Sequence, residues 1–231
     1  MAFNLQEAMR KVHIVGEQLV NCTKNCNDVE IDRNSGIIPR CLALEIKNRK
    51  LDDIGCIIIG LNPGKAKLKE KLHYNEHGVT YGSFFKWWEQ CLDDEFTGYY
   101  GRMRRFINGL EIKGPILWTE LAKCQCDQEH SSLSFQTYRT CSQLYLQREM
   151  EIFPSNWPIF AVGKVTYNAL TFLYPLHTVI GVAHPTGSRG QAFLGMFDHQ
   201  KNLQESIKNQ YPKQGETIWF SSKSVVESEV N

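Results

Sequence analysis

The residues from Ile57 to Gly64 constrain the fold more than any other part of the chain. Three consecutive isoleucines, Ile57 to Ile59, lead into a short loop bounded by Gly60 and Gly64. A strand without polar positions is covered on both faces, as the strands of parallel sheets are. Open α/β sheets bind ligands at the carboxyl ends of such strands, where this loop carries the polar side chain of Asn62. The loop is therefore the first candidate for a functional site.

Strands and helices alternate along the rest of the chain. The pattern predicts strands at 54–60, 116–121, 158–162, 178–183 and 216–221. It predicts helices at 4–21, 83–92, 99–110, 137–152, 164–173 and 193–209. This alternation favours a three-layer α/β/α sandwich with a central, mostly parallel sheet. The 231 residues, 42% of them hydrophobic, suffice for one such domain.

Outside these elements the chain is polar. Residues 1–53 predict an amino-terminal helix followed by an irregular loop that carries cysteines, packed on a core domain at 54–221. A second long loop is predicted at 61–81, and residues 222–231 are predicted to form a flexible tail.

Composition excludes several classes of function. A net charge of +1 gives no global field for nucleic acid, although local basic clusters remain. The start of the chain lacks a signal sequence, and no apolar run is long enough for a membrane helix, so we expect a soluble, cytoplasmic monomer without a membrane partner. Eight cysteines in such a chain favour reduced thiols, either buried or bound to metal, over a disulfide framework.

The glycine loop is similar to a phosphate-binding P-loop only at first sight. The spacing between Gly60 and Gly64 is one residue too short, and Ala66 replaces the serine or threonine that binds magnesium. Nucleotide hydrolysis is therefore not expected.

A second polar residue, His184, follows another predicted strand. A lone histidine there is often structural, but Pro185 and the loop Gly187-Ser188-Arg189-Gly190 come directly after it. Because parallel strands end at one edge of a sheet, Asn62 and His184 are candidates for a common crevice.

Both motifs resemble those of the uracil-DNA glycosylase superfamily. Gly60-Leu61-Asn62-Pro63-Gly64 is most similar to the first motif of its mismatch-specific and single-strand-selective branches, and His184-Pro185-Thr186 matches the second, about 120 residues later. The resemblance implies a monofunctional DNA glycosylase that flips out a modified or deaminated pyrimidine and hydrolyses its N-glycosidic bond. A DNA-binding or sensor protein of the same fold without catalysis is the alternative from another class.

The resemblance also implies roles for individual residues. His184 would donate a hydrogen bond to O2 of the departing base, and Asn62 would position the attacking water. The base would lie against Gly60, Leu61, Pro63 and Gly64. Tyr81 or Phe84 would stack on it, although their helix also has the pattern of a buried one. The DNA contacts would come from Lys65, Lys67, Arg102, Arg105, Pro185, Thr186, Gly187, Ser188 and Arg189.

A third segment resembles the iron–sulfur branch of the superfamily. In that branch a strand ends in Lys-Cys and a downstream cysteine opens a helix, and the segment from Thr119 to Lys123-Cys124, followed by Cys141, is similar. By this resemblance Cys22, Cys26, Cys124 and Cys141 would bind a [4Fe–4S] cluster that pins the amino-terminal loop to the sheet. The first pair is separated by three residues rather than two, and Cys41 and Cys126 compete as ligands. Zinc, or simply reduced thiols, are the alternatives.

Glu120 departs from that branch, in which the corresponding residue is commonly asparagine. An ionised carboxylate only accepts hydrogen bonds, so it repels O4 of uracil but accepts from the amino group of cytosine. If Glu120 faces the pocket, the substrate is a modified cytosine, such as the hydroxymethylated or glucosylated base of some phage DNA, and the role is defence. If Glu120 points away or is protonated, excision of uracil in DNA repair remains the alternative.

Overall fold

A computed structural model describes residues 3–92, 98–127, 129, 132–186 and 215–220 of the chain. The helices are α1 (Leu5–Val20), α2 (Leu68–His77), α3 (Tyr81–Leu92), α4 (Gly98–Gly109), α5 (Phe135–Cys141), α6 (Gln147–Met150) and α7 (Lys164–Leu173). The strands are β1 (Val29–Glu30), β2 (Leu42–Glu45), β3 (Cys56–Gly60), β4 (Ile116–Glu120), β5 (Gln125–Cys126), β6 (Ile159–Val162), β7 (Val179–Val182) and β8 (Thr217–Trp219).

Six of the strands form one sheet in the order β2-β4-β3-β6-β7-β8. The strands from β3 to β8 in this order pair in parallel, with Ile57 opposite Ile159 and Ile159 opposite Val179. In contrast, β2 runs antiparallel to β4, since the backbone N–H of Arg40 donates to Lys123 while that of Lys50 donates to Lys113. The two short strands β1 and β5 form a separate antiparallel pair.

The chain thus has the three-layer α/β/α fold that the alternation of strands and helices predicted. The isoleucine strand β3 is central, and all five of its residues are buried. It is covered on both faces, as the absence of polar positions indicated. Within the described part of the chain, no helix has the length and apolar character needed to cross a bilayer.

The residues group into two compact units. The first comprises 1–44, 60–91 and 117–154. Its amino-terminal helix α1 buries Val12, Val15 and Leu19 on one face. A Cβ atom at Gly16 would lie only 2.2 Å from the ring of Tyr81, so this glycine allows the close approach of α1 to α3.

The second unit comprises 45–59, 92–116 and 155–231. In its core, the ring of Phe106 from α4 meets that of Phe160 in β6 edge to face, with centroids 5.9 Å apart. A Cβ atom at Gly181 would lie 2.2 Å from the ring of Trp219, so a glycine is needed where β7 meets the aromatic side chain of β8.

Two segments predicted as loops contain regular structure. The region 22–50 includes β1, β2 and a 3₁₀ turn at Arg33–Ser35, and the loop predicted at 61–81 includes α2. The prediction was wrong because β2 has only four residues and α2 buries only Glu70, His73 and Tyr74, so neither gives a clear apolar period. The helix predicted at 137–152 is interrupted by a π turn at Ser142–Leu146. The helix predicted at 193–209 and the tail lie outside the described residues.

A fully buried ion pair lies at the end of β4. The Nζ atom of Lys123 is 2.8 Å from Oε2 of Glu149, and neither side chain is exposed. Oγ1 of Thr119 donates to the same carboxylate oxygen at 2.6 Å, and Nζ of Lys123 also donates to the carbonyl of Glu120 at 2.7 Å. These bonds fix the turn between β4 and β5.

Replacing Lys123 by methionine leaves Glu149 as an unpaired buried charge. We expect this change to lower the free energy of unfolding by about 3–5 kcal/mol, measured by urea denaturation. Lys113→Met, at an exposed position, serves as the control and should change stability by less than about 0.5 kcal/mol. Adding Glu149→Leu to Lys123→Met should recover part of the loss. A Lys123 variant as stable as the control would contradict this account of the pair.

Candidate active site

The loop after β3 is held by two buried polar side chains. Nη2 of Arg40 donates to the carbonyl oxygen of Gly64, and Nε of Arg40 lies 2.9 Å from Oε1 of Glu70. Oε1 of Gln125 accepts from the backbone N–H of Ala66 at 2.7 Å. The loop is therefore fixed at two points beyond the end of the strand.

The start of the loop is fixed by pairing with the neighbouring chain segment. The backbone N–H groups of Leu121 and Ala122 donate to the carbonyls of Gly60 and Leu61, both at 3.0 Å. These bonds extend the contact of β3 with β4 beyond the strands. The backbone immediately before Asn62 is therefore held in place by two hydrogen bonds.

The nitrogen of the Asn62 side-chain amide has a hydrogen-bond partner within the protein, whereas the oxygen has none among the described residues. Its Nδ2 atom donates to the carbonyl of Pro63 at 3.2 Å and lies 3.9 Å from Sγ of Cys126. Because a carbonyl only accepts, this contact identifies the amide nitrogen. Among the described residues, Oδ1 of Asn62 has no hydrogen-bond partner. It is an acceptor available to a ligand or a water molecule.

His184 follows β7 in the second unit, and its surroundings determine where its proton lies. Nδ1 is 3.2 Å from both the backbone N–H and Oγ1 of Thr186, which can each donate, and 3.3 Å from the carbonyl of the same residue. Two donors favour Nδ1 as an acceptor. Burial lowers the pKa of the imidazole, although the hydrogen bond with the backbone of Thr186 raises it, and the net shift favours the neutral ring. In a neutral ring whose Nδ1 accepts, the hydrogen is on Nε2.

Two residues of α4 support the His184 loop. The ring of Tyr99 lies against the imidazole, with centroids 5.5 Å apart. The Nη1 atom of Arg102 donates to the carbonyl of Pro185. Arg102, predicted as a DNA contact, therefore has a partner within the protein.

Glu120 ends β4 beside the Asn62 loop. Its Oε2 atom is shielded from solvent and has no hydrogen-bond partner among the described residues, which costs about 1–3 kcal/mol for a buried acceptor. Burial raises the pKa of this carboxyl to about 7, although the positive charges of Lys123 and Arg40 and the nearby thiol of Cys41 each lower it. The carboxyl therefore titrates close to neutral pH.

The four cysteines predicted as cluster ligands all belong to the first unit. Burial raises the pKa of the Cys124 thiol, and the neighbouring thiols of Cys141, Cys22 and Cys26 raise it further. The thiols of Cys22 and Cys26 also raise the pKa of Cys141. All eight cysteines of the chain are free thiols. Within the described residues, no group of three or more His, Cys, Asp or Glu side chains is placed to hold a metal ion.

The two competing cysteines have different surroundings. Burial raises the pKa of both thiols. The carboxyl of Glu120 raises the pKa of Cys41 further and Arg40 lowers it, whereas Asp28 raises the pKa of Cys126 further and the amide of Asn62 lowers it.

The other predicted site residues differ in their exposure. Tyr81 and Phe84 are 5% and 3% exposed, so their rings pack in the protein core and offer no open face to a base. The role predicted for them as stacking residues is therefore not supported by their position, and the alternative of a buried helix describes them. Lys65, Lys67 and Arg105 are exposed. Gly187, Ser188 and Arg189 lie outside the described residues.

Sequence reasoning missed three residues at these sites, namely Arg40, Tyr99 and Gln125. Arg40 and Gln125 could not be found from spacing because their partners are distant in the chain. Tyr99 had a weak signal, since a Tyr-Tyr pair flanked by glycines begins α4.

No protein-family model matches the chain, and no curated protein gives a significant match. The similarity to the uracil-DNA glycosylase superfamily therefore rests on the motifs alone and stays a hypothesis.

The raised pKa of Glu120 predicts a specific dependence of stability on pH. Between pH 4.5 and 7 the folded protein keeps a proton that the unfolded chain has lost, so the free energy of unfolding falls as the pH rises through this window. Glu120→Gln lacks this titration. Its stability relative to the unmodified protein should therefore increase from pH 4 to pH 8 by on the order of 2 kcal/mol, measured by urea denaturation.

Glu76→Gln, at an exposed position of the same unit, is the matched control and should show no such trend. Equal pH dependence in the two variants would contradict the assigned environment of Glu120.

Proposed function

We propose that the protein is a monofunctional DNA glycosylase, which flips a modified or deaminated pyrimidine out of DNA and hydrolyses its N-glycosidic bond. The observation that carries the proposal is the contact of Nδ1 of His184 with the backbone N–H and Oγ1 of Thr186, from which we infer that Nε2 is the hydrogen-bond donor at the end of β7. The class of reaction comes from the sequence motifs. The hydrogen bonds made by Asn62 after β3 and by His184 after β7 support the roles proposed for these two residues.

The donor on His184 matches what breaking this bond requires. As the bond between C1′ and N1 lengthens, the sugar gains positive charge and the base leaves with negative charge on its oxygens. A fixed donor at O2 of the base is most effective in the transition state, because the charge is largest there. Thr186 holds the imidazole in the required tautomer, and Tyr99 packs against its ring.

The open acceptor on Asn62 matches the second requirement, a positioned water. With Nδ2 bonded to Pro63, Oδ1 accepts a hydrogen bond from water and directs its oxygen towards C1′. An amide cannot take the proton away, which is tolerable when departure of the base dominates the barrier. The attacking water loses its proton to solvent, and the products are the free base and an abasic site.

The surface near Asn62 is open and carries exposed cations. A Cβ atom at Gly64 would meet no described atom within 4 Å. Exposed Lys65 and Lys67 follow in the same loop and are suited to contact phosphates. DNA is therefore the proposed partner of this surface.

Single replacements test the roles of the two side chains. We expect His184→Ala to lower the rate of base release by about 10²- to 10³-fold, because one donor to the developing anion is lost. Asn62→Ala should lower it by a similar factor. The assay measures release of free base from oligonucleotides that contain uracil, 5-hydroxymethylcytosine or glucosylated 5-hydroxymethylcytosine.

His177→Ala is the matched control, since this histidine precedes β7 rather than following it. It should retain the full rate. Wild-type protein that binds these oligonucleotides but releases no base would favour the DNA-binding alternative. An active His184→Ala variant would contradict the role of the imidazole.

We also propose that Cys22, Cys26, Cys124 and Cys141 bind a [4Fe–4S] cluster. The donor set matches such a group in number and kind, since four thiols from three segments of the first unit influence one another electrostatically. In the described residues these thiols are not arranged as a preformed metal site. When bound, the cluster would cross-link the segment after α1 to those after β4 and in α5. Its role would be structural, and no step of the hydrolysis depends on it.

Metal analysis tests this proposal directly. Anaerobically purified protein should contain about four irons per chain and show a broad visible absorption band that bleaches on reduction. Cys124→Ser should lower the iron content, whereas Cys91→Ser in α3 should not. Folded protein without iron, or with one zinc per chain instead, would contradict the cluster.

A further inference from the structure

A cleft of about 280 Å³ lies in the second unit, between the end of β2 and α4. Two short segments of the chain, 45–49 and 101–108, form its walls. Four of the lining side chains are cations, namely Lys47, Arg49, Arg104 and Arg105. Among the described residues around the cleft, Glu45 is the one acid. The lining groups therefore carry a net positive charge.

Part of this charge is withdrawn from solvent. Oε1 of Glu45 lies 2.9 Å from Nη2 of Arg49 and 3.2 Å from Nε of Arg104, so two guanidinium groups share one carboxylate oxygen. The side chains of Glu45 and Arg49 are 1% and 6% exposed, and that of Arg104 is 18% exposed. Cations are costly to hold away from water unless enough negative charge lies beside them. An anion bound in the cleft would offset this cost.

The cationic wall is held in a fixed geometry. Nη1 of Arg49 donates to Oδ1 of Asn108 at 2.9 Å, while Nε of Arg49 donates to Glu45, so this guanidinium ties α4 to the end of β2. The backbone N–H of Arg49 donates to the carbonyl of Ile46 at 3.1 Å, and Asn48 within this turn has a φ of 62°, which asparagine adopts more readily than most residues. A site that is already ordered binds its ligand at a lower entropic cost.

The cleft is separate from the surface around His184. Its lining residues from α4 are spaced from Gly101 by three, four and seven positions, so they share one face of the helix. At 3.6 residues per turn, Tyr99 lies roughly 160° around the helix from Gly101. Tyr99 is the residue of α4 that packs on His184. Arg105, which the resemblance suggests as a DNA contact, therefore lines a cleft on the other side of α4.

The charge and size of the cleft define the class of ligand. Guanidinium groups bind phosphate and carboxylate in paired hydrogen bonds, and the excess of cations suits a doubly charged phosphate better than a singly charged carboxylate. A volume of about 280 Å³ is at the small end of ligand pockets, so it accommodates a phosphate with a small substituent. We propose that this cleft binds the phosphate group of a small phosphate monoester. The proposal is independent of the proposed glycosylase activity.

Binding of two probes tests the proposal. Inorganic phosphate and glycerol 3-phosphate are titrated into the full chain by isothermal titration calorimetry at constant ionic strength, because salt screens exposed charges. We expect saturable binding of one molecule per chain. Replacing both exposed cations, in the variant Lys47→Gln with Arg105→Gln, should weaken the binding by at least about tenfold, since contacts to charged groups are lost.

The matched control removes the same charge elsewhere on the surface. Lys11→Gln with Lys86→Gln, at two exposed positions outside the cleft, should change the affinity for glycerol 3-phosphate by less than about twofold. Because all four replaced side chains are exposed, both variants should unfold at the same temperature as the unmodified protein. Equal weakening in the two variants would show a general effect of charge and would overturn the proposal.

Competition with DNA distinguishes the source of the phosphate. An unmodified oligonucleotide without terminal phosphates carries only phosphodiesters, and it should not displace glycerol 3-phosphate from the cleft. Displacement would identify the cleft as a contact for the DNA backbone and would overturn the assignment to a monoester. Absence of saturable binding of both probes at millimolar concentration would also overturn it.

Discussion

The arrangement of the first unit depends on the buried guanidinium of Arg40. Taking a cation out of water costs several kcal/mol, so it is stable only where acceptors surround it. Here Glu70 supplies the opposite charge, and the carbonyls of Ile38 and Gly64 and the amide oxygen of Gln125 accept further hydrogen bonds. Because Glu70 lies in α2, Gly64 in the Asn62 loop and Gln125 in β5, one side chain connects these three segments to the residues before β2.

The proposed chemistry follows from how hydrogen-bonding capacity is distributed at the strand ends. At Asn62 the amide nitrogen donates within the protein, and the amide oxygen has no partner among the described residues. At His184 Nδ1 accepts from Thr186, so that Nε2 can donate to a ligand. At Glu120 the buried oxygen Oε2 has no hydrogen-bond partner among the described residues. The protein thus fixes the side chains of Asn62 and His184 through one end and presents the other, which is how a preorganised site limits the cost of reorganisation.

Much of the fold could be predicted from the sequence, because the strands that matter are apolar and clearly bounded. The isoleucine run ends at Gly60 as expected, and the helix predicted at 164–173 has the bounds of α7. The positions of Asn62 and His184 after strands followed from the same pattern. What the sequence could not predict depends on contacts between distant residues. Arg40 meets Gln125 across 85 residues, and nothing in the spacing of either indicates it.

The alternative predictions for the aromatic residues show the same limit. Tyr81 and Phe84 have the composition of a stacking site, but Gly16 in a distant helix allows α1 to pack over Tyr81 and bury it. Conversely, Tyr99 contacts His184 only because α4 and the segment after β7 belong to the same unit. Local composition identifies candidate aromatic residues, and only the tertiary packing distinguishes a core residue from a site residue.

The central claim is that the protein hydrolyses the N-glycosidic bond without cutting the DNA strand. Mass spectrometry of the products from an oligonucleotide with one modified cytosine tests it most directly. The account predicts free base and abasic sites in equal amounts, with strand breaks only after alkali. Bound but chemically unchanged DNA, or strand breaks that appear without alkali, would contradict it.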